Sequence, residues 1–444
     1  MPFTTLINDA CATKVSEGFD LIKRNNFPNN RFLQDANPFS SVNSSPGKVI
    51  KSVNQRLHSW EVKELMAVST LVHCMDGWSY LNNSISAFLN GDLPIAIHLA
   101  YYTELRAAIS FLASEGILVA DYKQICLKEN DDIYIPNSSK STHVATWDIM
   151  KEWINNRGRF TNALEYFSYK GKTFNELIQF IPNAPTDPNV QLIELKNWIK
   201  KWSFDIENYT TDQETRNASS YNPNIKRNHI PISPVERLKN INDFWKSLDP
   251  SISAFANIDL YLFSTYLTTI YDNYLVQRVP IPMGKEEYID LFFESSGLTP
   301  DSILKAIFID DKSNNLMLHA KDSSNDGITG DIKPLSIIAR AILLLRFATG
   351  ACAFHLRSNN INRNDLSFYF DMIGQDCGMW EIGQPDDLKE LWDELFLLTD
   401  YFDEYLDTDP APNIYKLRND LGEYTKYSHI YTQFSRSALW GLGL

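Results

Sequence analysis

Cysteine is scarce in this chain: Cys11, Cys74, Cys126, Cys352 and Cys377 are the five in 444 residues. The number is odd, the spacing wide, and no Cys-x-x-Cys pair occurs. That excludes a disulfide framework or a zinc ribbon and fits a reducing compartment, so a cytoplasmic location is expected. An uninterrupted apolar stretch is also missing from the N-terminus, where Asn8, Asp9 and Lys14 intervene, so no export signal is expected. There is no Gly-rich phosphate loop before Lys-Ser/Thr, no Gly-x-Ser-x-Gly elbow and no His-Glu-x-x-His. The eight histidines include no pair at i, i+4. His73 beside Cys74 is the single close His/Cys pair, and helix neighbours point to different faces. Neither a metal nor a cofactor is expected.

Basic residues are outnumbered, 41 against 55 acidic, leaving a formal charge of −14. An acidic surface repels phosphate backbones, which argues against extended, non-specific nucleic-acid binding but leaves room for a local basic site. What is abundant is apolar and aromatic: 44% hydrophobic and 13% aromatic residues describe an ordered globular chain, long enough for two or three domains.

The apolar spacing predicts a mainly α-helical fold, organised around a helical hairpin between Met75 and Ile117. Leu71, Met75, Trp78, Leu81, Ile85 and Leu89 form the stripe of its first helix, which should end at Asn90-Gly91. Asp92 and Pro94 open the second, whose stripe is Ile95, Leu99, Tyr102, Ile109 and Leu112. A small β-hairpin is expected where Ile125-Cys126-Leu127 and Ile133-Tyr134-Ile135 flank Asn130-Asp131-Asp132. Further helices are expected at 143–155, 190–206, 234–247, 255–277, 285–296, 299–308 and 386–407, with 25–52 as coil and 310–331 as a polar loop. Asp322, Ser324, Asp326 and Gly327 mimic the start of a calcium loop. Lys333 holds the twelfth position and opposes the ion, so a solvated loop is expected.

Leu335–Leu356 is the most apolar helix. Arg340 and Arg346 interrupt it, and each arginine at mid-bilayer costs roughly 2.5–3.5 kcal/mol, so a buried bundle helix is expected rather than a membrane span. Its arginines need partners, which Asp387, Glu390, Glu394 and Asp403 of the acidic helix are placed to supply. The divisions expected are an irregular segment at 1–59, a helical domain at 60–230, connecting helices at 231–280, and a second helical bundle at 281–444, with the boundary marked by Val279-Pro280-Ile281-Pro282.

Candidate functional residues are few. Glu104 and Arg106 sit beside the apolar stripe of the second hairpin helix, as ordinary surface charge, as a polar bond to a neighbouring helix, or as the lining of a cleft. His98 on the same helix reads as a satisfied interior or edge histidine, and His355, at the end of the apolar helix, as a residue able to meet the C-terminus of that helix. The polar stretch Asp212 to Tyr221 reads by composition as a loop leading to a helix.

Two of these stretches together carry a resemblance. Asn90-Gly91-Asp92-Leu93-Pro94-Ile95-Ala96-Ile97-His98-Leu99-Ala100-Tyr101-Tyr102 resembles the core hairpin of HEPN domains, and Arg216-Asn217-Ala218-Ser219-Ser220-Tyr221 is similar to their signature, Arg followed after four to six residues by His. The resemblance spans at most 60–230 and implies an α-helical bundle that forms a homodimer and works in prokaryotic toxin–antitoxin, antiviral or RNA-processing systems. It implies a metal-independent ribonuclease chemistry, in which a ribose 2′-hydroxyl attacks its own phosphate, Arg stabilises charge and His moves protons. Here Tyr221 stands where the signature has His. With an unperturbed pKa near ~10 against ~6.5, tyrosine is a poor base at neutral pH. Arg216, Asn217 and Tyr221 then form a degenerate site. Three functions follow as expectations: an RNA-binding or partner-assembling protein with little or no catalysis, a weakened endoribonuclease, and a helical scaffold docking another protein.

Overall fold

The computed structural model describes residues 2–24, 31–40, 57–138, 140–202, 209–221, 232–276, 283–322, 334–381, 383–408 and 429–443. In chain order the helices are α1 (Pro2–Asp9), α2 (Ala12–Arg24), α3 (Ser59–Leu89), α4 (Leu93–Ser114), α5 (Thr142–Asn155), α6 (Arg157–Asn162), α7 (Phe174–Ile178), α8 (Pro188–Lys201) and α9 (Tyr209–Tyr221). They continue as α10 (Pro234–Ser247), α11 (Ala256–Val276), α12 (Lys285–Ser296), α13 (Ser302–Asp310), α14 (Asn315–Lys321), α15 (Pro334–Ser358), α16 (Ser367–Asp376), α17 (Glu390–Thr408) and α18 (Arg436–Gly441). Strands β1 (Ile117–Ala120), β2 (Lys123–Leu127) and β3 (Ile133–Tyr134) form one antiparallel sheet, with Leu118 opposite Ile125 and Cys126 opposite Tyr134. A second pair, β4 (Ser168–Tyr169) and β5 (Lys172–Thr173), makes a short antiparallel ribbon. The protein is mainly α-helical, as its apolar periodicity predicts.

The hairpin forms as its punctuation dictates. Helix α3 runs unbroken through Asp76-Gly77 and stops at Asn90, after which Gly91 takes φ +83°. The carbonyls of Phe88 and Leu89 at this helix end accept from Arg237 Nη1 at 3.2 and 3.3 Å, where a cation also suits the helix dipole. Asp92 then accepts from the Ile95 backbone N–H, and Pro94 sits in the first turn of α4. Two buried hydroxyls fasten the helices together: Ser84 donates to Ala96 O at 2.7 Å and Ser110 to Thr70 O at 2.6 Å.

Helix α15 lies against this hairpin, chiefly along α4 and then α3. Close approach has a local cause at Gly77, where an added Cβ would come 2.7 Å from Leu345 Cδ2. Buried on all sides, α15 needs no polar stripe. It is long and apolar enough to cross a membrane, yet residues 334–353 are all enclosed by the rest of the protein. Phe347 stacks on Phe111 of α4 at 4.3 Å and on Phe167 at 5.6 Å, tying α15 to the hairpin and to the ribbon region. Apolar burial of this kind contributes roughly 1.5–3 kcal/mol per large side chain.

Several expectations need correcting. The arginines of α15 do not pair with the acidic helix. Arg346 holds Asp259 of α11 through Nε and Nη2 at 2.8 and 2.6 Å, and Arg340 holds Asp212 of α9 at 3.0 and 2.7 Å. Glu394 of α17 instead meets Arg436 at 2.8 Å. The stretch 212–221 is helical rather than a loop, since its hydroxyls bond back to carbonyls four residues earlier (Thr215 to Thr211, Ser219 to Thr215) and leave the helix ladder intact. The N-terminal segment, expected as irregular apart from one short helix before about residue 20, begins with two helices, α1 and α2, whose Phe3, Leu6, Val15 and Phe19 are buried. The polar loop after Asp310 contains α14, anchored by buried Leu316 and Met317. The helix expected at 190–206 starts at Pro188 and ends at Lys201. Beyond Asp322, the calcium-like stretch lies outside the described residues, as does the boundary at 279–282. Helices on the two sides of that boundary share one continuous core.

Candidate functional site

Helix α9 turns a polar face inward. Asp212, Arg216 and Ser220 recur at i, i+4 and i+8, so they stand in one row along the helix. The row lies against α4 in antiparallel order. Asp212 falls beside Glu104, Arg216 over Tyr101 and Tyr102, and Ser220 beside His98. Each rung has its own chemistry.

At the middle rung the Arg216 guanidinium lies 4.9 Å from the Tyr101 ring centroid and 5.7 Å from that of Tyr102. Such contacts contribute about 0.5–2 kcal/mol, more when desolvated. Arg216 is only 9% exposed, its Nε has no hydrogen-bond partner, and no carboxylate lies within ion-pair reach among the described residues. The acid one turn earlier, Asp212, is held by Arg340.

Two histidines flank this cation. His98 Nδ1 lies 2.6 Å from Ser220 Oγ, and its ring is 4.9 Å from Tyr102. His143, at the start of α5, stands 6.0 Å from the Tyr101 ring and 5.6 Å from Tyr102. Both are held below the ordinary histidine range, first by desolvation and then by the charge of Arg216, so both are neutral at pH 7. Burial pushes the Tyr101 hydroxyl up to about 12, so it stays protonated.

A second arginine reaches the same surface from the other side. Tyr102 stacks on Tyr80 of α3 at 5.6 Å, and the Arg106 guanidinium lies 5.8 Å from the Tyr80 ring. Arg106 Nη1 bonds His73 Nδ1 at 2.9 Å and approaches Asp76 at 3.7 Å, while its Nε has no partner. The two arginines therefore bracket a pair of stacked tyrosines, each guanidinium with one unused, buried N–H.

The candidates named from sequence are thus divided. Arg216 and Arg106 share one seam. Glu104 does not line a cleft with Arg106, because residues two apart on a helix face different ways. Only 2% exposed, it points toward Arg340 and Asp212, and burial raises its carboxyl well above the usual range, with Asp212 adding to the effect and Arg340 opposing it. Asn217 is half-buried on the flank of α9, outside the inward row. The side chain of Tyr221 lies outside the described residues. His98 is at a polar interface, as an edge histidine would be. His355 does not serve the C-terminus of its own helix: it bonds Ser114 O at the end of α4 at 2.9 Å, as a neutral imidazole that burial has lowered to about 4. Sequence reasoning missed Tyr80 and His143 as site residues. The usable signal was the i, i+4, i+8 row on α9, which needs polar groups opposite it.

Fold and seam together define a mainly α-helical protein with a largely half-buried arginine–tyrosine–histidine interface between a long hairpin and a polar helix. Among known protein families, curated proteins and solved structures, none matches the chain.

Proposed function

We propose that the seam of Arg216, Arg106, Tyr80, Tyr102, His98 and His143 takes a phosphate of single-stranded RNA, in a HEPN-like helical protein that binds RNA with little or no catalysis. The observation that carries this reading is Arg216: a nine-tenths-buried guanidinium with an unused Nε–H and no neutralising carboxylate among the described residues. A buried cation of that kind is stabilised by an anion that accepts its hydrogen bonds, and arginine matches phosphate in geometry. The half-buried Tyr80–Tyr102 stack supplies ring faces of the type on which bases stack, worth ~1–3 kcal/mol per base. The acidic surface elsewhere restricts binding to a short strand. Titrating a labelled single-stranded RNA into the protein at low salt tests it: Arg216→Ala should weaken binding at least ~10-fold, about 1.4 kcal/mol. Absence of any binding by the wild type removes the reading.

A second reading is supported by the two histidines. His98 and His143 place neutral imidazoles beside Arg216, whereas this chain has Tyr221 at the position where the signature has His. In that arrangement one imidazole takes the proton of a ribose 2′-hydroxyl, the 2′-oxygen attacks the adjacent phosphorus, and the P–O5′ bond breaks to leave a 2′,3′-cyclic phosphate; the departing 5′-oxygen receives the proton, and Arg216 stabilises the added charge. Incubation with RNA in EDTA decides this. Cleavage by the wild type that is lost in both His98→Ala and His143→Ala supports a weak endoribonuclease, and absence of cleavage removes it. The association with prokaryotic defence systems and the homodimer belong to the HEPN-like reading and stand or fall with it.

A further inference from the structure

The search outside the seam leads to a recess formed by α8, α11 and the α13–α14 region, with a volume of about 470 Å³. In a chain of net charge −14 it collects four lysines: Lys200 and Lys201 from the end of α8, Lys312 after α13, and Lys321 at the end of α14. Its two carboxylates are already engaged, Asp272 with Lys201 at 2.7 Å and Asp311 with Lys285 at 2.8 Å. Lys312 has Asp310 at 2.7 Å. Lys321 differs. Its ammonium bonds only the hydroxyl of Ser313, at 3.0 Å, and has no carboxylate within ion-pair distance among the described residues. Desolvation lowers its pKa first, the like charge of Lys201 lowers it further, and the charge of Asp311 opposes both. Lys201 already holds Asp272, so the charge an anion in the recess would neutralise is that of Lys321.

The remaining lining names the ligand class. Ser264, Thr265 and Thr268 line one wall from α11, where the Thr265 and Thr268 hydroxyls donate to Leu262 O and Ser264 O, and Ile307 adds an apolar patch. Lysine is a point-charge donor suited to compact, multiply charged oxyanions, and the hydroxyl of Ser313, whose oxygen accepts from Lys321, can donate its own hydrogen to one. The volume falls within the range of small-ligand pockets, roughly 300–1,000 Å³, and exceeds what one phosphate fills. We propose that this recess binds a small phosphorylated ligand of nucleoside diphosphate size. The proposal does not depend on RNA binding by the Arg216 seam, since no residue is shared.

Isothermal titration calorimetry of the full chain at low ionic strength, with ADP, pyrophosphate and a single-stranded RNA as probes, tests it. ADP should bind, Lys321→Gln should weaken it at least ~10-fold, and Asp272→Asn should tighten it by removing a repelling carboxylate. Arg216→Ala should leave ADP binding unchanged. Both lysine and aspartate positions are at the surface of the recess, and an unchanged circular dichroism spectrum checks that each variant folds. No ADP or pyrophosphate binding at millimolar concentration overturns the proposal, as does equal affinity in wild type and Lys321→Gln. RNA binding that depends on Lys321, with none for ADP, also overturns it and assigns the recess to nucleic acid.

Discussion

Arg216 rests on the ring of Tyr101, its guanidinium carbon 4.9 Å from the centroid, while the acid one turn back, Asp212, is taken by Arg340. The pair joins α9 to the hairpin and also leaves a charge unneutralised. Those two roles separate by substitution. Arg216→Met keeps the stem packed on the rings and removes the charge. Urea unfolding should move by only about 1 kcal/mol, while RNA binding falls as far as in Arg216→Ala. Equal RNA affinity in Arg216→Met and wild type would leave Arg216 a packing residue alone.

The pairing of Arg346 with Asp259 gives a larger effect. Both side chains are almost fully buried, and Asp259 also accepts from the Ser168 backbone N–H at 3.2 Å. Arg346 further covers the rings of Phe167 and Phe255 at 4.9 and 5.0 Å. Arg346→Ala strands a carboxylate in the core and should cost about 3–5 kcal/mol in denaturant unfolding. A loss under 1 kcal/mol would contradict the buried geometry.

Glu104 predicts the opposite sign. Its folded carboxyl is raised well above its ordinary value by burial, so the folded state holds a proton that the unfolded chain gives up. Stability from this site therefore falls as pH rises from about 4.5 toward the folded pKa. Glu104→Gln should melt close to wild type at pH 4.5 and above it at pH 8. The same difference at both pH values would contradict the buried, protonated carboxyl.

His355 titrates in the acid direction. Buried against Ser114 O and Ser16, it is lowered to about 4. A histidine held neutral contributes no pH-dependent loss above its unfolded pKa, and stability drains as pH falls from about 6.5 to about 4. The full effect is about 3 kcal/mol. Comparing melting temperatures at pH 7 and 4.5, His355→Gln should show a smaller drop than wild type.

These residues also explain what the sequence makes legible. The hairpin was readable because Asn90-Gly91 and Asp92-Pro94 punctuate two strong apolar stripes, and local chemistry suffices to place such a turn. Strand β1 was hidden, because Ile117–Ala120 is buried throughout and shows no alternation. The partners of Arg340 and Arg346 were misassigned because ion pairs depend on tertiary contact: the acids chosen were plentiful, while those used are single residues on α9 and α11. Arg216 stood out through a motif, but Tyr102, Tyr80 and His143 join it only when three helices pack around it. Composition also hid α9, whose hydroxyl and amide residues read as loop until an inward polar row finds partners on α4.

The salt dependence of RNA affinity tests the central claim most directly. A phosphate bound by Arg216 contributes about 0.7 to the slope of log K against log salt for a single strand. The slope should be shallower by about that amount in Arg216→Ala than in wild type, with affinity reduced at every salt concentration. Identical slopes and affinities in the two proteins would show that Arg216 holds no phosphate.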